Sequence, residues 1–158
     1  MNVSGEFTVH APRQQVFDTL RDASSFTRFV DGVHDLKEID PTHYEATFET
    51  KVAYMKFKFA VTVEVTRLQE PSEIEARIEG TPLGVVGRLT AKSITRLEDA
   101  GSDTKVSYSV ESTLAGKLGS IGQPVLRAKA KEMEKEFAKR LSAAFAPGSV
   151  AQDLPEVR

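Results

Sequence analysis

The stretch KFKFAVTVEVTRL, residues 56–68, limits what this chain can fold into more than any other segment. Apolar side chains recur at every second position, and mostly charged or polar residues separate them. The apolar positions are Phe57, Phe59, Val61, Val63 and Val65. Because successive side chains of a strand point to opposite faces, the pattern predicts a strand with one buried and one wet face. Such strands are typical of antiparallel sheets that are covered on one side.

Similar alternation marks further strands on both sides of this segment. Alternating runs cover residues 3–9, 33–39, 44–52, 74–78, 89–97 and 106–114. Turn residues such as Asp40-Pro41 and Pro71-Ser72 separate several of these runs. We therefore expect about six or seven antiparallel strands.

Helical spacing marks three other segments. A short helix is expected from about Pro12, and a second one is expected to end at Asp31-Gly32. A long helix over about 124–145 carries an apolar stripe at spacings of three and four. Its members are Leu126, Ala130, Met133, Phe137, Leu141 and Ala144. The remaining residues hold two prolines and no periodicity, so 147–158 are predicted to be a flexible tail after a single domain, 1–146.

These elements predict an α+β architecture. A sheet with one apolar face has to bury it, and the long C-terminal helix is the element of matching length. The expected fold is a curved antiparallel sheet wrapped around this helix, with the two short helices after the first strand plugging one end.

The apolar residues between sheet and helix either fill a core, as such stripes usually do, or line a cavity for an apolar ligand. The predicted cavity wall consists of Phe48, Phe57, Phe59, Leu89, Met133 and Phe137. Two apolar loops, 53–55 and 81–87, are unusual because loops are normally polar. We expect them at the cavity mouth, which would be formed by Phe29, Tyr54, Met55, Leu83, Val86, Leu118 and Ile121.

Residues 114–131, LAGKLGSIGQPVLRAKAK, form an unusual start for a helix. They hold three glycines, Pro124 and four cations without an acid. The cations are Lys117, Arg127, Lys129 and Lys131. Basic residues interleaved with apolar ones are typical of peripheral contact with anionic lipid, and a solvated helix face is the alternative. The segment also predicts either a helix that begins at Pro124 or a short helix over 117–122 that meets it at a kink.

Several chemistries are not expected. The net charge of −2 argues against a general nucleic-acid binder, and the lack of cysteine excludes disulfides and thiolate sites. The three histidines do not share helical spacing, so we expect no metal, no cofactor and no catalytic residue. Without a signal-like start or an apolar run of about 18 residues, we expect a cytoplasmic protein, peripheral at most to the inner face of the cytoplasmic membrane.

Four segments together resemble one family, that of the G subunit of carbon monoxide dehydrogenase. They are SGEFTVHAPRQQVFDTL, DGVHDLKEI, YEATFETKV and LAGKLGSIGQPV followed by AKEMEKEFAKRL. The resemblance covers roughly residues 2–145 and is most specific in GKLGSIG with the helix after it. This chain has Asp31, Gly32 and Val33 where the family usually has Pro-Gly-Cys. Many members also carry a longer C-terminal extension, which the short predicted tail is not expected to supply.

The resemblance implies the helix-grip fold of the START/Bet v 1-like (SRPBCC) superfamily, which binds lipids, sterols and other apolar molecules. It also implies recruitment of a carbon monoxide dehydrogenase-type molybdenum hydroxylase to the membrane. We expect a non-enzymatic protein that binds an isoprenoid quinone or lipid-like molecule. The alternatives are an adaptor whose cavity is incidental, and a cyclase or hydrolase that acts on an apolar substrate.

Overall fold

The computed structural model describes residues 1–146, apart from the side chain of Phe26, and the tail predicted over 147–158 lies outside the described residues. Its strands are β1 (Asn2–Val9), β2 (Val33–Asp40), β3 (His43–Val52), β4 (Met55–Gln69), β5 (Glu73–Pro82), β6 (Gly87–Ala100) and β7 (Asp103–Gly116). Its helices are α1 (Arg13–Arg21), α2 (Ser24–Phe29) and α3 (Gln123–Ala144), with a 3₁₀ turn at Gly119–Ile121.

The seven strands form one antiparallel sheet in the order β1-β7-β6-β5-β4-β3-β2. In the observed register, Phe48 of β3 lies opposite Phe59 of β4, and Val61 of β4 lies opposite Gly80 of β5. Because side chains alternate along each strand, these residues all face the same side of the sheet. Helix α3 contacts both β1 and β3, and therefore crosses the concave face of the sheet. The predicted fold, a curved antiparallel sheet around a long C-terminal helix with short helices early in the chain, is confirmed.

A solid core fills one end of the molecule. Helix α1 packs there against β6 and β7, α2 packs against α3 and β2, and the last turns of α3 close the cluster. The fully or almost fully buried side chains are Val9, Val16, Phe17, Leu97, Val106 and Leu141. Burial of each such side chain stabilises the fold by about 1.5–3 kcal/mol, so this end is the main source of stability.

The opposite end carries three connections: the turn between β3 and β4, the loop between β5 and β6, and the segment from β7 to α3. We call it the loop end. The third connection is docked, because the Lys117 N–H donates to the Val86 carbonyl at 2.9 Å and Leu118 is only 2% exposed. Gly116 has φ +69°, and a Cβ there would lie 2.7 Å from the Val86 oxygen, so this tight passage requires glycine.

Helix α3 begins at Gln123 after this passage, with Pro124 in its first turn. A proline is tolerated there because the first N–H groups of a helix have no partner within the helix. The structure thus combines both predicted arrangements, a short 3₁₀ turn and a separate long helix that begins beside Pro124.

Candidate functional site

The sheet contributes an aromatic wall to the concave face. The ring of Phe59 lies 6.0 Å from that of Phe48 and 6.2 Å from that of Phe57. Phe59 is 4% exposed, whereas Phe48, Phe57 and Leu89 are only half-buried. Gly80 stands between Phe59 and Leu89, and a Cβ there would meet the Leu89 Cδ2 at 3.3 Å. These residues lie together on the sheet, as the strand pattern predicts.

The two α3 residues predicted to line the cavity lie in different surroundings. Met133 is half-buried on the side of α3 that faces β3, whereas Phe137 packs edge-on against Phe7 and Phe29 at ring distances of 6.4 and 6.3 Å. Phe29 and Phe137 therefore belong to the packed part under α3. Phe29 does not lie at the loop end with the other residues expected at the mouth, because α2 places it against α3.

Two clefts run along the line where α3 faces β3. One has a volume of about 630 Å³ and lies between the tip of the β3–β4 hairpin and the start of α3, near Ala53, Val125 and Ala128. The next, of about 220 Å³, lies between α2, β3 and α3, and Met133 lines it. Together they follow the edge of α3 that lies beside β3.

A salt bridge stands where the two clefts meet. Lys129 and Glu132 line both clefts, and their Nζ and Oε2 atoms are 3.1 Å apart. Lys129, which was expected in an outward basic surface, is therefore paired beside the openings under α3. Its position differs from the expected one because residue 129 lies on the β3 side of the helix.

The loop end exposes large apolar side chains. Tyr54 is 87% exposed, Val86 80% and Leu83 53%. The group that we call the apolar rim consists of Tyr54, Met55, Leu83, Val86 and Val125. Exposed lysines flank it on the β3–β4 hairpin at positions 51, 56 and 58. Leu118 and Ile121 are not part of this exposed group, since Leu118 is buried beneath Gly87 and Ile121 is half-buried.

The outer face of α3 is basic. Arg127 and Lys131 are exposed there and, within residues 1–146, form no ion pair. Lys135 and Lys139 continue the series at the same four-residue spacing and were missed at the sequence level, although this spacing places them on one face. The acids of α3 are engaged elsewhere, since Glu132 pairs with Lys129 and Glu136 pairs with Arg140. The result is a row of positive charges that runs along α3 away from the loop end. Lys117 is likewise exposed at the loop end.

One polar pair on the concave face was also missed. The Tyr108 hydroxyl of β7 donates to the Glu134 Oε1 of α3 at 2.5 Å, and both residues are half-buried. Burial raises the pKa of the Tyr108 phenol to about 12, and the bond to Glu134 acts in the same direction. Two features of the sequence could have indicated this pair: Tyr108 occupies an inward strand position, and Glu134 lies next to Met133 at the edge of the apolar stripe of α3.

The histidines lie away from the concave face and pair with carboxylates. His34 contacts Asp35 at 2.9 Å and Glu49 at 2.5 Å, and these bonds raise its pKa. His43 contacts Asp40 at 2.9 Å, which raises the pKa of His43 and lowers that of Asp40 to about 2. Within residues 1–146, no cluster of three or more histidine and acidic side chains is arranged to hold a metal ion.

A seven-stranded antiparallel sheet wrapped around a long helix, with aromatic side chains on its concave face, is the START-like fold. The profile of the family described as the G subunit of carbon monoxide dehydrogenase (CoxG) matches residues 5–146. The chain therefore belongs to the CoxG family. No functionally curated protein matches the sequence significantly.

Solved structures share this fold over almost the whole chain. A conserved protein from Geobacillus kaustophilus is similar at 24% identity and a TM-score of 0.84, with 92% of this chain and 95% of that chain covered. A START superfamily protein from Mycobacterium smegmatis is similar at 11% identity and a TM-score of 0.68, with 91% and 96% covered. The Zhui aromatase/cyclase from Streptomyces sp. R1128 is similar at 15% identity and a TM-score of 0.65, with 89% and 90% covered.

The described part of the chain, residues 1–146, contains no helix with the length and apolarity that crossing a membrane would need.

Proposed function

We propose that this protein binds a hydrophobic small molecule, of the isoprenoid quinone or lipid class, without transforming it. The observation that carries the proposal is the aromatic wall of the concave face, where Phe48 and Phe57 are only half-buried, with two clefts along the neighbouring edge of α3. Apolar side chains that their own neighbours do not cover gain stability when an apolar ligand covers them. Membership of the family and of the START-like fold supports the same function.

The experiment is uptake from a bilayer. The protein is mixed with liposomes that contain menaquinone, separated by flotation, extracted and assayed for quinone; native mass spectrometry of the freshly purified protein runs in parallel. We expect quinone to leave with the protein and an apolar adduct in the mass spectrum. If the protein shows no apolar adduct and takes up no quinone, the proposal loses its basis.

We further propose that the loop end approaches a membrane of anionic lipids when the ligand is exchanged. The apolar rim supplies an aromatic and several aliphatic side chains at the surface, and lysines surround them. Each cation near an anionic surface adds about 1 kcal/mol, so the lysines and the α3 cations nearest to the rim reinforce the apolar contact. The rim lies beside the larger cleft, which gives a ligand a path from lipid to the concave face.

Liposome sedimentation tests this contact. A Y54S/L83S/V86S variant and a K117E/R127E/K129E/K131E variant are compared with the wild type on anionic and on neutral vesicles. Wild type should sediment with anionic vesicles, and both variants should remain in solution. Sedimentation of both variants at the wild-type level would contradict a contact through this end.

We also propose that the protein is an accessory factor that recruits a carbon monoxide dehydrogenase-type enzyme to the inner face of the cytoplasmic membrane. Only the family description supports this role. Fractionation of cells with and without the protein tests it, and the enzyme should move from the membrane to the soluble fraction when the protein is missing. If the enzyme stays at the membrane without the protein, the recruitment role is contradicted, and the proposal of ligand binding is not affected.

A cyclase or hydrolase is the second candidate. The Tyr108–Glu134 pair favours it, because it places two titratable groups on the concave face. An enzyme would change the mass of the bound molecule by hydrolysis or loss of water, or change its chromatographic retention by ring closure, whereas a carrier returns it unchanged. Liquid chromatography with mass spectrometry of the extracted ligand therefore separates the two.

A further inference from the structure

Helix α3 carries a line of positive charges on its exposed side. Arg127, Lys131, Lys135 and Lys139 are all exposed and follow one another at intervals of four residues. Residues at this interval are neighbours on the surface of a helix, and each step rises about 6 Å along the helix axis. We call these four residues the basic face.

The charges of the basic face are not neutralised by their neighbours. Within residues 1–146, none of its four side chains forms an ion pair or a hydrogen bond. The acids of α3 have other partners, since Glu132 and Glu136 pair with basic residues outside this face and Glu134 accepts from Tyr108. Like charges at four-residue spacing repel one another and weaken a helix. The repulsion is relieved when opposite charges bind, so the face is suited to an acidic partner.

Most of the basic face lies far from the apolar rim. Helix α3 starts at the loop end, where Val125 belongs to the rim, and its last turns lie in the solid core at the other end. Lys135 and Lys139 are therefore about 15 and 21 Å further along the helix than Val125. Exposed charges are largely screened from one another beyond about 8 Å at physiological ionic strength. A membrane that touches the rim thus leaves the far half of the basic face free for another partner.

The residues around the basic face also argue against insertion into lipid. Helices that lie in a membrane surface present large apolar side chains beside their cations. Val125, in the first turn, is the one exposed large apolar side chain of α3. Beyond that turn, the exposed residues outside the basic face are Ala128, Glu132 and Ala143. Such a surface binds through charge, which suits the hydrated acidic surface of a folded protein better than acyl chains.

We propose that the basic face docks an acidic surface of a partner protein. The matching surface carries several carboxylates about 6 Å apart, as an acidic helix with the same four-residue spacing does. Docking leaves the loop end free, because the partner lies alongside α3 and not at its start. The inference goes beyond the proposed function, since neither ligand binding nor the membrane contact needs Lys135 or Lys139.

Fluorescence anisotropy with a synthetic acidic peptide tests the docking. The probe is a fluorescein-labelled peptide of four Ala-Ala-Ala-Glu repeats, and its control has glutamine in place of glutamate. K135E/K139E reverses the two charges furthest from the loop end. K56E/K58E is the matched control, because it makes the same change of charge at two exposed lysines of the β3–β4 hairpin that have no ion pair within residues 1–146. The wild type should bind the acidic peptide and not the glutamine peptide. K135E/K139E should raise the Kd at least about tenfold, and K56E/K58E less than about twofold.

Sedimentation with anionic vesicles separates a protein partner from a membrane. K135E/K139E should sediment as the wild type does, whereas K56E/K58E should bind vesicles more weakly. Release of K135E/K139E from vesicles would assign the basic face to the membrane and overturn the inference. No binding of the acidic peptide by the wild type, or equal weakening by the two variants, would overturn it as well. Both variants change exposed residues, and circular dichroism verifies that they fold. The peptide comparison decides the inference even if the wild type binds no vesicles, a result that contradicts the membrane contact alone.

Discussion

Gly5 and Tyr108 lie on neighbouring strands so close that the tyrosine hydroxyl occupies the space of a Gly5 side chain. A Cβ added at Gly5 would be 2.5 Å from the Tyr108 Oη and 2.9 Å from its Cζ. The glycine allows the phenol to lie across β1 beneath α3 and to donate to Glu134. Strand β1, the edge of the sheet, and α3 are thereby joined through one side chain of β7.

Gly5→Ala tests this relationship. The methyl group would force the Tyr108 ring aside, and overpacking of this kind lowers the free energy of unfolding by about 1–3 kcal/mol. The measurement is urea denaturation followed by circular dichroism. Ser4→Ala, at the exposed neighbouring position, is the control and should change the free energy by less than about 0.5 kcal/mol. Equal stability of the two variants would show that the ring has room to move.

The titration of Tyr108 is a second prediction. Burial, followed by the bond to Glu134, raises its pKa to about 12 from the ordinary value of 10.0. Because the folded state holds the proton more tightly, the resulting stability is complete below about pH 10 and is lost as the pH rises through about 12. Ultraviolet difference titration should show a tyrosine near 12, absent in Y108F and lowered in E134Q. A titration of E134Q identical to that of the wild type would contradict the role of the pair.

The pKa of His34 gives a third prediction, at the other edge of the sheet. Its bonds to Glu49 and then to Asp35 raise the pKa above 6.5. The stability that this contributes is present below about pH 6.5 and is lost as the pH rises through the raised value. NMR titration should show the raised pKa of His34, and Glu49→Gln should lower it toward the ordinary value. A pKa unaffected by Glu49→Gln would show that the contact does not persist in solution.

The buried position of Leu118 gives a fourth prediction. Its side chain is 2% exposed and packs beneath Gly87, so Leu118→Ala should lower the free energy of unfolding by about 2–5 kcal/mol. Val86→Ala is the control, because Val86 is 80% exposed and its truncation removes little packing. Similar costs for the two variants in urea denaturation would contradict the docked position of the segment before α3.

The sequence predicted those parts of the molecule that depend on local periodicity. Alternation over residues 56–68 identifies β4 and its inward face, and the stripe from Leu126 to Ala144 identifies α3. The Tyr108–Glu134 bond could not be predicted in this way, since the two residues are 26 positions apart and meet only because α3 packs against the sheet beside Gly5 of β1.

The same limit applies to apolar residues in connections. Leu118 and Val86 look alike in the sequence, yet one is buried and the other is exposed. The difference arises from the passage of Gly116 past the β5–β6 loop, a tertiary contact that no local pattern encodes. For the same reason Phe29, expected at the mouth, packs instead against Phe137.

The central claim is that an apolar molecule reaches the concave face through the cleft between the β3–β4 hairpin and α3. Ala128 lines this cleft, and Ala143, also exposed on α3, does not. The decisive measurement is the rate of menaquinone uptake from liposomes by the wild type, Ala128→Trp and Ala143→Trp. The account predicts that Ala128→Trp slows uptake at least about tenfold, equivalent to about 1.4 kcal/mol in the barrier, while Ala143→Trp behaves as wild type. Uptake by Ala128→Trp at the wild-type rate would contradict it.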